Sequence, residues 1–334
     1  MNQQSASTRP LTAGDFDAVV AIDAGITGRS RPGYFKKRLA AALAEPAWFI
    51  YIGCEWGGTL EGYLFARLQE GEYGVSKKVA VMDTIGVNPD STGRGIGRMM
   101  MEDCRAILRH KKVSELQTQV DWRNLGFLHF LSAGGFELAP RQILERDVGY
   151  MDTRISSDPE QVDRTGSGEK DYSDPGSYDA ASLARDVVNI RSLNAGDLKA
   201  LVRVDKKVTG ADHSRYYQRK IKEVLDETGI RVSLVAEKDG QVAGFIMARV
   251  DFGEFDRTEP VAVLDSIAVD PEYGHVQIGS AMLSQLLANL TTLRLETIRT
   301  EIDSDHFDVL NFLMKNGFRN SQRLSFSYLL KGEE

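Results

Sequence analysis

Three glycines mark the stretch of sequence best suited to binding a ligand. Gly93, Gly95 and Gly97 alternate between a strand-like apolar run, 79–87, and a helix-like run, 99–110. Glycines leave the backbone N–H groups uncovered, and the first turn of a helix carries partial positive charge. The pattern therefore predicts a site for an anion, and a phosphate-bearing ligand suits it best. The structural alternative is a tight strand-to-helix turn that binds nothing.

The turn matches neither of the two commonest phosphate loops. A Walker loop needs Gly-Lys followed by Ser or Thr, whereas Gly97 is followed by Arg98 and Met99. A dinucleotide-binding loop needs Gly-x-Gly-x-x-Gly and an acidic residue about twenty positions later. The sequence has neither pattern.

The stretch resembles the pyrophosphate-binding signature of the GNAT acyltransferase superfamily, Gln/Arg-x-x-Gly-x-Gly/Ala after a strand that ends in Val-x-Pro. Gly95 and Gly97 occupy the two small-residue positions, and Gly93 and Arg94 occupy the variable ones. Thr92 departs from the pattern, because Gln or Arg is usual there. The resemblance continues downstream, where Asn124 and a Gly-Phe pair at 135–136 follow at the family's spacing.

The resemblance implies that the chain binds acetyl-CoA as its acyl donor. In the family, the diphosphate binds the glycine-rich turn and the acyl-pantetheine binds the backbone of a splayed central strand. The residues implied here are Ile85, Gly86, Val87, Thr92, Gly93, Arg94, Gly95, Ile96, Gly97, Arg98 and Asn124. Three of them have a structural alternative, since Arg94 and Arg98 could be surface arginines and Asn124 could cap the following helix.

The sequence repeats itself at a fixed offset. The segment 9–16 reappears as 191–198, an offset of 182 residues (191 − 9). The same offset relates four further landmarks, Asp83 to Asp265, Pro89 to Pro271, Gly97 to Gly279 and Gly135 to Gly317. The two halves are therefore copies of one unit.

Each copy predicts the same order of elements: a strand, two helices, a hairpin, a central strand, the turn with its helix, a strand, a short helix and a last strand. The last strands are predicted at 143–148 and 324–330, each completing its own copy. This order predicts the α+β class. As the resemblance implies, we expect two tandem GNAT domains, each a mixed, mostly antiparallel sheet flanked by helices.

The domain boundaries follow from the repeat. We predict an N-terminal domain at 8–149, a polar linker at 150–186 and a C-terminal domain at 187–331. The linker is rich in Asp, Ser and Gly and has no hydrophobic period, which is typical of flexible segments. A length of 334 residues also favours two domains over one.

The copies differ in the glycine-rich turn. Gln277 stands in the second copy where the first has Gly95, and Gly274 stands where the first has Thr92. A side chain at 277 should crowd the close backbone approach that a diphosphate needs. We therefore expect acyl-CoA binding in the N-terminal domain, and weak or no binding in a degenerate C-terminal domain.

Acyl transfer to an amine needs a neutral nitrogen, a donor for the developing oxyanion and a proton for the leaving thiolate. The family's usual general acid is a tyrosine, but its positions here hold Leu131 and Leu313. Asp83, on the central strand, is the best candidate base and would act through water. Asp265 occupies the same place in the degenerate copy, so a structural role shared by both aspartates is the equal alternative. A backbone N–H near Val87 would polarise the thioester carbonyl, as the resemblance implies.

Composition argues against several other classes of function. The net charge of −7 argues against a nucleic-acid partner. Cys54 and Cys104, both in apolar patterns, predict neither a disulfide framework nor a cysteine-rich metal site. No run approaches the roughly twenty apolar residues of a membrane span, and the N-terminus lacks the apolar core of a signal peptide. We therefore expect a cytoplasmic protein with no metal and no membrane partner.

Together these features predict an N-acetyltransferase that moves the acetyl group of acetyl-CoA to an amine acceptor, either a small molecule or a protein lysine or N-terminus. The alternative is a noncatalytic acyl-CoA-binding regulatory protein, which the missing tyrosines favour. The acceptor is expected to be selected by the loops 25–33 and 71–78, which carry no recognisable chemistry. The sequence leaves open the acyl-chain preference and whether the chain forms a homodimer.

Overall fold

The computed structural model describes residues 6–69, 78–149, 188–227, 230–273 and 277–330. The N-terminal half contains β1 (Ala6–Pro10), α1 (Phe16–Thr27), α2 (Pro32–Ala44), β2 (Phe49–Trp56), β3 (Thr59–Gln69), β4 (Val79–Val87), α3 (Ile96–His110), β5 (Glu115–Asp121), α4 (Leu125–Ala133), β6 (Glu137–Leu138) and β7 (Arg141–Asp147). The C-terminal half contains β8 (Asn189–Ser192), α5 (Leu198–Thr209), α6 (Ser214–Lys222), β9 (Leu234–Lys238), β10 (Gln241–Asp251), β11 (Val261–Val269), α7 (Ile278–Thr292), β12 (Thr297–Asp303), α8 (Phe307–Lys315), β13 (Arg319–Asn320) and β14 (Arg323–Leu329). The predicted linker lies outside the described residues.

The strands form two sheets of seven described strands each. Their orders are β1-β2-β3-β4-β5-β14-β6 and β13-β7-β12-β11-β10-β9-β8. Two pairs are parallel, β4 with β5 and β11 with β12, and the other neighbours are antiparallel. The predicted α+β class, with mixed and mostly antiparallel sheets, is confirmed.

The last long strand of each half lies in the sheet of the other half. β14 pairs antiparallel with β5 along its whole length, and β7 pairs in the same way with β12. The prediction that the strands 143–148 and 324–330 complete their own copies is therefore wrong. The pattern of alternating burial could not reveal this exchange, because it would be the same in either sheet.

The exchanged strands belong to the hydrophobic cores. In the N-terminal half, α3 buries Met100 and Leu108 against the sheet, and Phe326 of β14 is part of the same core. In the C-terminal half, Leu144 of β7 packs with Leu286 of α7. Burying such a side chain contributes about 1.5–3 kcal/mol, so each half draws stability from a strand of the other copy.

The repeated segments at 9–16 and 191–198 form the same ion pair. Arg9 donates to Asp15 at 2.7 and 2.8 Å, and Arg191 donates to Asp197 at the same two distances. Each pair ties the first strand of its half to the turn that begins the first helix. Hydrogen bonds from Arg9 hold the pKa of Asp15 well below its usual range. This pairing gives the strongest sequence repeat its structural reason.

Leu144→Ala should destabilise the C-terminal half, although residue 144 belongs to the first copy. Leu144 is 0% exposed, and truncating such a side chain costs about 2–5 kcal/mol. Hydrogen exchange read by mass spectrometry should show lost protection first in β10, β11 and β12. The matching change Phe326→Ala should instead weaken β3, β4 and β5. Loss confined to the N-terminal half in Leu144→Ala would contradict the strand exchange.

Candidate acyl-CoA site

The turn between β4 and α3 leaves its backbone open. Gly93 and Gly95 have φ values of +78° and +80°, in the left-handed region that favours glycine, and Gly95 caps α3. A Cβ placed on either residue would have no described atom within 4 Å. The first N–H groups of α3 have no partner within the helix. This free space beside a helix N-terminus fits a phosphate group.

Three predicted side chains at the turn have partners within the protein. The Arg94 guanidinium lies 5.6 Å from the ring centre of Trp56, within the range of a cation–π contact. Arg98 donates to Glu102 at 2.8 Å in an exposed pair four residues apart on α3. The Thr92 hydroxyl donates to the backbone carbonyl three residues earlier at 3.0 Å. Their contribution to ligand binding stays a prediction.

Asn124 lies at the N-terminus of α4. Its Oδ1 accepts from the backbone N–H of Phe127 at 3.1 Å, so the side chain caps the helix. The helix-capping role, which was the structural alternative for Asn124, is thus present in the fold. A contact between Asn124 and a ligand remains a prediction.

The two parallel strands of the first sheet separate soon after they meet. β4 pairs with β5 only at 80–81, and the last link is a bond from a β5 threonine hydroxyl to the carbonyl of Met82 at 3.0 Å. In the described strands, the β5-facing edge of 85–87 therefore has no ladder partner. Gly86 is also required sterically, because a Cβ there would lie 2.5 Å from the Tyr63 ring. This open edge is the feature that the resemblance implies for the acyl-pantetheine.

A β-bulge accompanies the separation. Phe65 pairs with Thr84, and the next residue, Ala66, pairs with Met82, so Asp83 is the extra residue on β4. A bulge breaks the alternation of side chains and bends its strand. Met82 packs in the core beneath α3. The side chains of Asp83 and Thr84 both lie on the α2 face of the sheet and make polar contacts there.

Asp83 is buried between two guanidinium groups. Its carboxylate lies 3.0 Å from Arg38 of α2 and 3.2 Å from Arg67 of β3, and its side chain is 0% exposed. Burial raises the pKa of Asp83, and the two arginines oppose that rise. The setting favours a structural role, and action of Asp83 as a base stays a prediction.

The same arrangement recurs in the other half. Asp265 is the extra residue of a bulge on β11, and it lies 2.9 Å from Lys220 and 3.4 Å from Arg249. Each partner is related by the 182-residue offset to a partner of Asp83. Because Asp265 belongs to the copy with the altered turn, both aspartates fit a shared role in holding the bulge.

One carboxylate from the C-terminal half joins the two arrangements. Glu254 lies 2.9 Å from Arg38 and 3.0 Å from each of Arg67, Arg249 and Arg299. Burial alone would raise the pKa of Glu254, but the four arginines outweigh it and hold the pKa well below its usual range. Glu254 therefore links the bulge of the N-terminal half to the C-terminal half.

A cavity of about 550 Å³ lies beside this ionic network. Its lining includes residue pairs related by the repeat, namely Lys37 with Arg219, Arg38 with Lys220, Arg67 with Arg249, Leu68 with Val250 and Gln69 with Asp251. The cavity thus lies where equivalent segments of the two halves meet. Its many cationic side chains make it a poor entrance for a positively charged amine.

A polar cluster on the α2 face of β4 carries no motif in the sequence. The Tyr63 hydroxyl donates to Asp23 at 2.8 Å, and Arg31 donates to the same carboxylate at 2.8 Å. Asp256 accepts from the Thr84 hydroxyl at 3.3 Å. The repeat offset could have found Asp23, because an aspartate also stands 182 residues later. Asp256 offers no such signal.

The residue that caps the corresponding helix of the C-terminal half has a similar backbone conformation and adds a side chain. Gln277 caps α7 with φ +53°, in the same left-handed region as Gly95. A non-glycine residue there costs about 1–2 kcal/mol. Residues 274–276 lie outside the described ranges. The expectation that this half binds acyl-CoA weakly or not at all stays a prediction.

Other chemistries find little support in the described ranges. Cys54 and Cys104 are both buried, and burial raises the pKa of both thiols, that of Cys104 to about 12. Such thiols are poor nucleophiles at neutral pH. Within these ranges, no cluster of three or more His, Cys, Asp or Glu side chains is suited to a metal ion, and no helix has both the length and the apolar character to cross a membrane.

The family model of the GNAT acetyltransferases matches the chain twice, at 21–136 and at 198–318. These ranges cover more than half of the sequence, with one match in each half. The chain therefore belongs to the GNAT acetyltransferase family, in a tandem two-domain form, and the recognition made from the sequence is confirmed.

Solved structures share the fold at low identity. A tandem GNAT protein from the clavulanic acid biosynthesis pathway is 15% identical with a TM-score of 0.61, covering 99% of this chain and 100% of that one. A GCN5-related N-acetyltransferase from Sphaerobacter thermophilus is 12% identical with a TM-score of 0.58, covering 98% and 96%. A glucosamine N-acetyltransferase region of a fungal multi-domain GH3 β-N-acetylglucosaminidase is 11% identical with a TM-score of 0.63, covering 98% of this chain and 38% of that one. No curated protein matches the chain in sequence.

Asp83→Asn should destabilise the fold, because it removes one of the two buried carboxylates that Arg38 and Arg67 share and leaves Glu254 as their other partner. Breaking a buried ion pair on one side costs about 3–5 kcal/mol. Urea unfolding should show this loss, and the matched change Asp265→Asn should show a loss of similar size. If Asp83→Asn is as stable as the wild type and has lost only activity, Asp83 is a base rather than the anchor of the bulge.

Proposed function

We propose that the N-terminal half binds acetyl-CoA and transfers its acetyl group to an amine acceptor. The observation that carries this proposal is the contrast between Gly95 and Gln277, which cap equivalent helices in the same backbone conformation. Only the first leaves the space at the helix N-terminus free of a side chain. An anion needs that space to approach the backbone N–H groups. Membership of the GNAT family supports acyl transfer as the reaction class.

The chain supplies backbone groups for most of the proposed chemistry. The glycine-rich turn would hold the diphosphate, and the open edge of 85–87 would hold the pantetheine amides and polarise the thioester carbonyl. The amine nitrogen attacks this carbonyl carbon, the new C–N bond forms and the C–S bond breaks. Hydrogen-bond donors that are already in place stabilise the developing oxyanion without reorganisation.

The leaving thiolate needs a proton, and the family's usual tyrosine is replaced by Leu131. This side chain is fully buried in the core of the N-terminal half, as Leu313 is in the core of the other half. We infer that the thiolate takes its proton from the attacking nitrogen or from water. Both routes balance the reaction, since the nitrogen must lose a proton to become an amide.

The two buried leucines also favour a second candidate, a regulatory protein that binds acyl-CoA and catalyses nothing. The two candidates differ in one observable, the release of free CoA when an amine is added. A panel of small amines, polyamines and lysine-containing peptides should give CoA release if the protein is an enzyme. Release that needs a folded protein acceptor would identify a protein acetyltransferase.

Gly95→Gln should abolish acetyl-CoA binding measured by calorimetry, because the new side chain enters the space that the phosphates need. The same change also strains the backbone, which requires a control. Gly58 has φ +85° and no described atom within 4 Å of a Cβ, but it lies in the β2–β3 hairpin. Gly58→Gln should therefore match the strain, about 1–2 kcal/mol, and bind acetyl-CoA like the wild type. Equal binding by both variants would remove the turn from the site.

Gln277→Gly should stabilise the C-terminal half by about 1 kcal/mol, because glycine adopts φ +53° without strain. Thermal or urea unfolding reports this gain. If the side chain alone blocks the second turn, calorimetry should also show a second, weaker acetyl-CoA site in this variant. An unchanged stability would mean that Gln277 is not strained.

A further inference from the structure

A short helical turn of the C-terminal half, Glu254–Asp256, lies against β4 and β5 of the N-terminal half. The ion pairs of Glu254 attach this turn to the N-terminal half, and two further arginines also bind it, Arg31 before α2 and Arg323 of β14. Arg31 donates to backbone carbonyls on both sides of the turn, and Arg323 of β14 donates to the carbonyl of Phe255 at 2.6 Å. The turn is thus built into the N-terminal half at the place where β4 and β5 separate.

The backbone of this turn is strained. Phe255 and Asp256 have φ values of +56° and +60°, and each non-glycine residue in this region costs about 1–2 kcal/mol. Two successive residues of this kind persist only where the surroundings fix them. The anchoring by Glu254, Arg31 and Arg323 provides that constraint, and its effect is to fix where the Asp256 carboxylate lies.

The Asp256 carboxylate lies beside the proposed acyl site. Its Oδ1 accepts from the Thr84 hydroxyl at 3.3 Å, and Thr84 comes directly before the open edge of 85–87. A second contact, 3.7 Å to Arg31, leaves much of the carboxylate available, and the side chain is 35% exposed. Asp256 therefore has a fixed position and is accessible to water, whereas Asp83 is fully buried.

We propose that Asp256, supplied by the C-terminal half, is the general base for acetyl transfer in the N-terminal half. The inference rests on the proposed function. The acceptor enters as an ammonium ion and gives one proton to the Asp256 carboxylate, which passes it to water. The neutral nitrogen then attacks the thioester carbonyl, and its second proton goes to the departing thiolate. The products are an amide, a thiol and one proton released to solvent.

The sequence makes this supply one-sided. The residue 182 positions before Asp256 is Gly74, and the strands on either side keep the same offset. The repeat therefore places a glycine, which has no carboxylate, at the sequence position that corresponds to Asp256. In sequence, two separate features thus distinguish the halves, namely the glycine at 95 against Gln277 and the aspartate at 256 against Gly74.

The charged groups around Asp256 set the pH dependence. They are Asp23 of α1, Arg31 before α2, Tyr63 of β3 and Arg323 of β14. Partial burial raises the pKa of Asp256 although 35% of the side chain is exposed, and the charges of Arg31 and Arg323 oppose the rise. Burial also keeps Tyr63 neutral by raising its pKa well above its usual value. Because a base acts when deprotonated, kcat/KM should rise with pH through a pKa above the ordinary aspartate range.

Asp256→Asn tests the proposal, because asparagine keeps the size of the side chain and tolerates positive φ. With an alkylamine acceptor, kcat/KM at pH 7 should fall about 10²-fold or more, and the pH profile should lose the step set by Asp256 and rise instead as the amine itself deprotonates. With hydroxylamine, which is already neutral at that pH, the rate should stay close to that of the wild type. Acetyl-CoA affinity, measured by calorimetry, should not change.

Two further variants keep the test decisive. Asp256→Gly removes the carboxylate and relieves the strain, so it should lose the same activity without losing stability. Asp239→Asn is the matched control, because Asp239 also has positive φ but lies in the exposed β9–β10 hairpin, and it should behave like the wild type.

The outcomes separate this inference from the proposed function. Wild-type activity in Asp256→Asn, or equal losses with the alkylamine and hydroxylamine, overturns the role of Asp256 as base and leaves acetyl transfer standing. A wild-type protein that binds acetyl-CoA but releases no CoA with any amine overturns the proposed function, and the base with it.

Discussion

A network of ion pairs where the two halves meet is the constraint on which the rest of the structure depends. Their members are Arg38, Arg67, Lys220, Arg249 and Arg299 with Asp83, Asp265, Asp251, Glu223 and Glu254. Removing so many charges from water is expensive, and an apolar interface could be equally stable. What the charges provide is specificity, because Glu254 reaches Arg38 and Arg67, and Glu223 reaches Arg67, only at one relative position of the halves. The same pairs hold both bulges, which open the central strands.

The strand exchange also fixes the two halves together, through hydrophobic packing. Each sheet contains the last long strand of the other copy, so neither half can separate without losing part of its core. The C-terminal half is therefore retained structurally even though its turn has changed. In this account it also supplies Asp256 to the site of the other half. A copy that itself binds no acyl-CoA would then still be necessary for catalysis.

Much of the fold and part of the candidate site could be predicted from the sequence, because they depend on residue spacing and on the conformational preferences of single residues. The repeat offset, the α+β order and the backbone freedom at Gly95 follow from spacing, periodicity and the conformational range of glycine. The strand exchange could not be predicted, because the strand at 143–148 has the same alternating pattern in either sheet. Asp256 could not be found either, since its role arises from contact with Thr84, 172 residues away. Both depend on how the halves pack, which local patterns do not encode.

Glu254 could not be interpreted from its sequence surroundings for the same reason. Acidic residues that follow a strand are typical of a solvated surface, whereas four arginines surround Glu254 in the interior. Three of these, Arg38, Arg67 and Arg249, have a basic residue at the matching position of the other copy. The repeat offset thus relates these cations to one another. It could not show that they converge on one carboxylate.

The central claim is that one half of the tandem holds the acyl-CoA site. It is tested most directly by calorimetric titration of the whole protein with acetyl-CoA, with the number of sites per chain as the readout. The account predicts one site per chain. Two sites of similar affinity would contradict it, because Gln277 would then be compatible with the diphosphate and the two halves would be equivalent.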